Sequence, residues 1–218
     1  MNIVWFYICI SLYFLTCVLH LVICFKENEK WRKITKGFCM GFLAIAFIFY
    51  VPDKPLIYVS IILGLMGDLL LIKKKNQFYL GLGGCFFACM HGLNIYMITS
   101  ALSYTVPWYV FALALLFLAL FIVYGKLTKK NVHPIVRKGA MGYFFLLLFS
   151  AVMAGMLLVD NFQTSTLLIF LGYIVFLISD CSLVTFNYIH SVKRKDFYVM
   201  LTYLSAQTLI YFGLLLLL

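Results

Sequence analysis

The sequence predicts an all-α fold: a polytopic membrane bundle of eight transmembrane helices with the N- and C-termini non-cytoplasmic. Three observations carry that expectation: scarce charge, continuous apolar runs of helical length, and basic residues that alternate between successive loops. Of 218 residues, 65% are hydrophobic and 11% charged, and the mean hydropathy is +1.06. A soluble domain carries about 25% charged residues, so this chain has too little polar surface to face water all round. In lipid, only helices and closed barrels satisfy their own backbone. Barrel strands alternate in polarity, whereas these runs stay apolar for about 20 residues, as a spanning helix requires.

Windows of that length place helices over 3–25, 36–51, 55–72, 77–100, 106–125, 139–159, 165–189 and 197–217. The first follows Met1 and Asn2 with no basic leader, so it is expected to stay as a span. The second is short, and Pro52 and Pro55 make its connection to the third tight. The loops test the count. Loop one holds Lys26, Lys30, Arg32, Lys33 and Lys36, and loop three holds Lys73, Lys74 and Lys75. Loop five holds Lys126, Lys129, Lys130, Arg137 and Lys138, and loop seven holds Lys193, Arg194 and Lys195. Of the seventeen Lys and Arg, only Lys54 falls on an even loop. Under the positive-inside rule the odd loops then face the cytoplasm.

The net charge of +10 therefore reads as topology and headgroup contact, not as nucleic-acid binding. The expected partner is the lipid bilayer. Residues 1–218 form one membrane domain. Helix three, with Asp68 before Lys73, and helix seven, with Asp180 before Lys193, echo each other faintly. A parallel four-helix duplication over 1–105 and 106–218 is one account of this, although the Asp-to-basic spacings differ by about two helical turns.

All seven cysteines lie inside apolar runs, in odd number and without a CxxC. Neither a disulfide framework nor a zinc site is indicated. Cys85 and Cys89 lie one turn apart and could join His91 around a metal, but the expectation is small buried hydrophobes and no metal.

Chemistry concentrates in two acids. Glu27, Glu29, Asp53, Asp160 and Asp196 sit in loops or at helix ends; Asp68 and Asp180 lie within the spans. A charge at mid-helix costs at least about 2.5–3.5 kcal/mol on insertion scales, so such residues usually face a polar interior and act there. Both are expected in the cytoplasmic half, within reach of one cavity. The bland alternative is that each bonds a neighbouring helix, or that Asp68 pairs with the lysines that follow it. Two carboxyls in one apolar site share a proton, which supplies an acid and an ionised partner. Helix four adds Gly83, Phe87 and His91 on one stripe, with Asn94 one turn further. A histidine bonded to a helix carbonyl competes with a catalytic or substrate-binding role there. Helix eight sets Tyr203, Gln207 and Tyr211 on one face, most simply as interhelical contacts. His20, His133 and His190 are expected to be bland.

At these residues the sequence resembles the YhhN-type lysoplasmalogenase family. The resemblance rests on Leu63-Gly64-Leu65-Met66-Gly67-Asp68-Leu69-Leu70-Leu71 and Gly83-x3-Phe87-x3-His91. It continues through Gly172-x3-Phe176-x2-Ser179-Asp180 and Tyr203-Leu204-Ser205-Ala206-Gln207-x-Leu209-Ile210. The pattern departs at Leu80, where Phe is expected, at Asn94, where an aromatic is expected, and after Asp180 through Asn187. The resemblance implies hydrolysis of the vinyl ether bond of a lysophospholipid substrate, with release of a fatty aldehyde. It implies Asp68 and Asp180 as catalytic residues, with His91, Ser179, Tyr203, Gln207 and Asn94 binding or orienting substrate, and no cofactor. The expected location is a bacterial inner membrane or a eukaryotic endomembrane. Two rivals use the same acids. One is a proton-coupled lipid or small-molecule transporter. The other is an intramembrane aspartyl protease, against which Leu65-Met66 replaces the first glycine of a GxGD motif and no Pro-Ala-Leu segment occurs.

Overall fold

The computed structural model describes residues 2–73, 76–103, 109–129, 132 and 134–217. Lys74, Lys75, Lys130, His133 and the expected start of helix five at 106–108 lie outside the described residues. Every regular element among those described is helical. They are α1 (Ile3–Phe25), α2 (Glu29–Tyr50), α3 (Pro55–Leu71), α4 (Gln77–Ser100), α5 (Tyr109–Lys129), α6 (Pro134–Asp160), α7 (Thr164–Val184) and α8 (Lys195–Leu217). A single π-helical turn, Thr185–Ile189, prolongs α7. Seven of the eight are long and apolar enough to cross a membrane, which makes this a multi-pass membrane protein. The other, α3, is apolar but has 17 residues. At about 1.5 Å per residue it is some 4 Å short of a hydrocarbon core of about 30 Å.

The order and number of helices agree with the sequence, but several boundaries differ. Helix α2 begins at Glu29, not 36, because Asn28 caps it by accepting from the Trp31 amide at 3.2 Å. Glu29 then sits in the first turn, where the helix dipole favours an acid. A hydropathy window stops at the lysines, while the backbone runs on through them. Lys30, Arg32, Lys33 and Lys36 are therefore helical and not loop residues, as are Lys126 and Lys129 of α5 and Arg137 and Lys138 of α6.

The chain divides into two compact units. The first comprises Met1–Leu93 with Asp196–Leu201, and the second Asn94–Lys195 with Thr202–Leu218. Helices α4 and α8 thus contribute to both.

In the first unit, α1 buries Phe6, Cys9, Tyr13, Cys17, His20 and Cys24, spaced three and four residues apart. Its other face exposes Val4, Tyr7, Leu15 and Val18, an apolar surface suited to lipid tails. Phe6 meets Tyr50 and Trp5 stacks on Phe49, joining α1 to the far end of α2. The turn between them closes as a Schellman motif, with Asn28 N–H bonded to Ile23 O and Glu27 N–H to Cys24 O. Glu27 occupies its left-handed position at φ 56°. Helices α3 and α4 meet where Gly67 lies against the Phe87 ring and Gly83 against Leu71 and the Gly67 carbonyl.

In the second unit, α5 meets α6 through Tyr124 stacked on Phe144, with ring centroids 4.1 Å apart. Gly155 of α6 lies against Leu113 of α5 and Phe170 of α7. Helices α7 and α8 approach closely at two glycines. Gly172 faces Ile210 and the Ala206 carbonyl, and Gly213 faces Ile169 and the Ser165 carbonyl. Ser103, past the end of α4, donates its amide and hydroxyl to the Asp160 carboxylate at the end of α6.

Candidate functional site

Asp68 belongs to the buried face of α3, which reads Ile57, Ser60, Ile61, Gly64, Gly67 and Asp68. Its residue exposure is 2%. The Lys36 ammonium of α2 lies 3.0 Å from its Oδ1, and the lysine side chain is itself only 15% exposed. This partner comes from a neighbouring helix and lies far from Asp68 in sequence. Lys73 instead sits over the Tyr79 ring, 4.8 Å from the centroid.

Lys36 is one of four polar residues that α2 turns inward on neighbouring helical turns. Arg32 pairs with Asp196 of α8 at 3.2 Å. The Thr35 hydroxyl and His20 Nδ1 of α1 share a hydrogen bond of 2.7 Å, and Thr35 also donates to the Trp31 carbonyl. Cys39 lies on the Thr35 carbonyl at 3.7 Å and hydrogen-bonds Cys17 of α1. One helix therefore distributes polar contacts to three others. His20, read as bland, is fully buried inside this set and holds α1 against α2.

On α4, Gly83, Phe87, His91 and Asn94 share the buried stripe that their spacing predicts. Cys85 and Cys89 are exposed, which corrects the expectation that they are buried hydrophobes. They lie on the outer face of α4, away from His91. A lipid-facing cysteine and a core-facing one look alike to hydropathy. Among the described residues no group of three or more His, Cys, Asp or Glu could hold a metal ion.

Asp180 belongs to the second unit and is half-buried. The Tyr143 hydroxyl of α6 donates to its Oδ2 at 2.7 Å. Ser179, beside it in sequence, is fully buried. Five residues after Asp180, α7 widens into the π-helical turn, where His190 N–H reaches the Thr185 carbonyl at 2.8 Å. Asn187 in that turn donates to the Leu183 carbonyl and accepts from Lys195 Nζ at 3.0 Å. The turn is thereby fastened to the start of α8. Single π turns inside α-helices are frequent near functional sites.

Tyr203, Gln207 and Tyr211 are all buried on one face of α8. Gln207 Nε2 donates to the Tyr203 hydroxyl at 3.0 Å. The Tyr203 ring stands edge-on to Phe176 of α7, with centroids 5.6 Å apart. Asn94 is fully buried in the same unit and lies, with Ser150, within hydrogen-bonding reach of Tyr173. Of the expected site residues, Asp68 and His91 fall in the first unit; Asp180, Ser179, Tyr203, Gln207 and Asn94 fall in the second.

Two partners of the acids escaped sequence reasoning. Lys36 was assigned to a loop, although the capping signal at Asn28-Glu29 would have made it helical. Tyr143 is one of fifteen tyrosines, and nothing local distinguishes it.

The YhhN family model matches residues 31–214. That span takes in both acids, Lys36, Tyr143 and every other expected site residue. No curated protein and no solved structure matches the chain.

Proposed function

Because the chain belongs to the YhhN family, we propose that it is a membrane-embedded hydrolase that cleaves the vinyl ether bond of lysoplasmalogens. The products are a fatty aldehyde and glycerophospho-ethanolamine or -choline. The observation that carries this reading is the occurrence of two acids, Asp68 and Asp180, inside apolar helices of a chain with the family's pattern. A membrane protein keeps such groups at a cost, and so usually for chemistry.

A vinyl ether hydrolyses by addition of a proton to the carbon remote from oxygen, which leaves an oxocarbenium ion. Water attacks that ion and gives up a proton; the resulting hemiacetal collapses to aldehyde and alcohol. The sequence calls for one carboxylic acid to donate and one carboxylate to stabilise the cation or accept the proton from water. Asp68 and Asp180 divide those roles. His91, Ser179, Tyr203, Gln207 and Asn94 orient the water or the lipid. A single-chain lipid enters from the bilayer, and basic residues at the helix ends favour its phosphate. The reaction requires no metal or organic cofactor.

The test is fatty-aldehyde release from lysoplasmenylethanolamine by the purified protein, beside Asp68→Asn and Asp180→Asn. Aldehyde from the wild type alone supports the hydrolase. A folded wild type that releases none overturns it, and proton-coupled transport through the same acids becomes the better account.

A further inference from the structure

Arg137 stands in the first turn of α6, half-buried. Its Nε is shut away from water and has no hydrogen-bond partner among the described residues. Residues 94–195 carry eight Lys and Arg against two acids, Asp160 and Asp180. Asp160 lies at the other end of α6, bonded to Ser103, and Asp180 is bonded to Tyr143. We propose that Arg137 binds the phosphodiester of the lysophospholipid substrate, and so makes the protein select a phospholipid over a neutral ether lipid. This inference rests on the hydrolase reading and uses residues of the second unit alone.

A buried donor left unpaired is costly, and one that belongs to a cation more so. An anion relieves that cost directly. The first turn of a helix is also the positive end of its dipole, where a cation is disfavoured and an anion favoured. Helix α6 has no acid in that turn to offset Arg137 and the adjoining Lys138. Lys126 and Lys129, in the last turn of α5, add to the excess of positive charge. Among the described cations of α5 and α6, Arg137 is the one that is half-buried; Lys126, Lys129 and Lys138 are exposed. It is also the one with the shape for a phosphodiester. A guanidinium offers Nε and one Nη along a single edge, matched to two phosphate oxygens, whereas a lysine offers a point charge.

Arg137 begins the stripe that Met141 and Phe144 continue, one and two turns further along α6. Met141 lies against Gly125 of α5. Phe144 stacks on Tyr124 of α5, which is within electrostatic reach of Asp180 on α7. The guanidinium and the carboxyl thus belong to one corner of the unit, where α5, α6 and α7 meet. Tyr143, which donates to Asp180, follows Arg137 by six residues, or about 9 Å along the helix axis. Helical side chains lean toward the N-terminus, which sets the guanidinium nearer the end of α6 and the carboxyl deeper. In the lipid, five bonds separate the sn-1 ether oxygen from phosphorus. With a contact of hydrogen-bond length at each end, that span is roughly 12 Å. A phosphate held at Arg137 therefore leaves the vinyl ether within reach of Asp180, and the hydrocarbon chain runs on into the bilayer.

The full chain in maltoside micelles, which bring no phosphate of their own, is titrated with two uncleavable lipids and with inorganic phosphate. One lipid is a saturated 1-O-alkyl-lysophosphoethanolamine and the other the matching 1-O-alkylglycerol. The wild type should bind the first about 10- to 100-fold more tightly, as a charge-assisted pair provides. Arg137→Gln should erase that preference by weakening the phospholipid alone, and Arg137→Lys should retain part of it. Turnover should follow suit. Arg137→Gln should raise KM for lysoplasmenylethanolamine by a similar factor with kcat little changed, and should not raise KM for 1-O-alkenylglycerol. Inorganic phosphate should compete weakly, since it lacks the chain; tight binding of phosphate alone marks a free-anion site and overturns the proposal. Equal affinity of the wild type for the two lipids also overturns it, whether or not Arg137→Gln folds. So does an Arg137→Gln protein that loses both lipids alike. Binding is independent of turnover, so a wild type that discriminates the lipids yet releases no aldehyde counts against the hydrolase reading alone.

Discussion

Tyr143 of α6 donates a hydrogen bond of 2.7 Å to Asp180 of α7, tying the second intramembrane acid to a neutral partner on a neighbouring helix. A phenol can orient a carboxyl without adding a charge. Tyr143→Phe keeps the ring and removes only that bond. A typical intramolecular hydrogen bond contributes about 0.5–1.5 kcal/mol net, so aldehyde release should fall by about 2- to 10-fold at saturating substrate. An unchanged rate would show that Asp180 does not need this partner for turnover.

Gly67 precedes Asp68 and lies under the Phe87 ring; a Cβ there would come within 2.7 Å of the ring. Gly67→Ala should therefore destabilise the protein by about 1–3 kcal/mol through overpacking. Because the obstacle is a side chain, Phe87→Leu on the same background should recover part of the loss. Thermal unfolding of the three variants in one detergent measures both effects. Additive losses would mean the two residues do not compete for the same space.

Gly172 meets less yielding neighbours. A Cβ there would stand 2.6 Å from an Ile210 side-chain carbon and 2.9 Å from the Ile210 amide nitrogen. Backbone cannot rotate away, so Gly172→Ala should cost more than Gly67→Ala, and Ile210→Val should not rescue it. A Cβ at Gly213 would stand 2.8 Å from the Ser165 carbonyl oxygen, so Gly213→Ala should behave alike. Equal melting temperatures for Gly172→Ala and the wild type would refute the close approach of α7 and α8.

Glu27 occupies the left-handed position of the turn after α1, at φ 56°. Glycine enters that region without a Cβ clash, although it also frees the unfolded chain. Glu27→Gly should stabilise by about 0.5–1 kcal/mol on balance. A raised melting temperature checks it, whereas a fall would mean that the glutamate side chain matters more than its backbone strain.

Much of this fold was legible because apolar runs and intervening lysines follow directly from membrane solvation. Asp68 and Asp180 were legible for the same reason, since an acid inside such a run stands out. Their partners were not. Hydropathy ends α2 at its charged turns, so Lys36 read as a loop cation and its ion pair with Asp68 stayed hidden. Tyr143 is aromatic among many aromatics, and only packing distinguishes it. The exposed Cys85 and Cys89 mark a deeper limit. In lipid the outside of a helix is as apolar as its core, so polarity cannot say which way a cysteine turns.

The first unit takes its last piece, Asp196–Leu201, from near the end of the chain. Arg32 emerges early in synthesis, yet its partner Asp196 is made only after the seven preceding helices. Until then α2 carries that cation without its acid, and nascent chains must depend on water, headgroups or the insertion machinery to tolerate it. The order of translation thus makes the eighth helix the step at which the first three can finish folding. A chain arrested before Asp196 would hold its early helices in the bilayer while their assembly stayed incomplete.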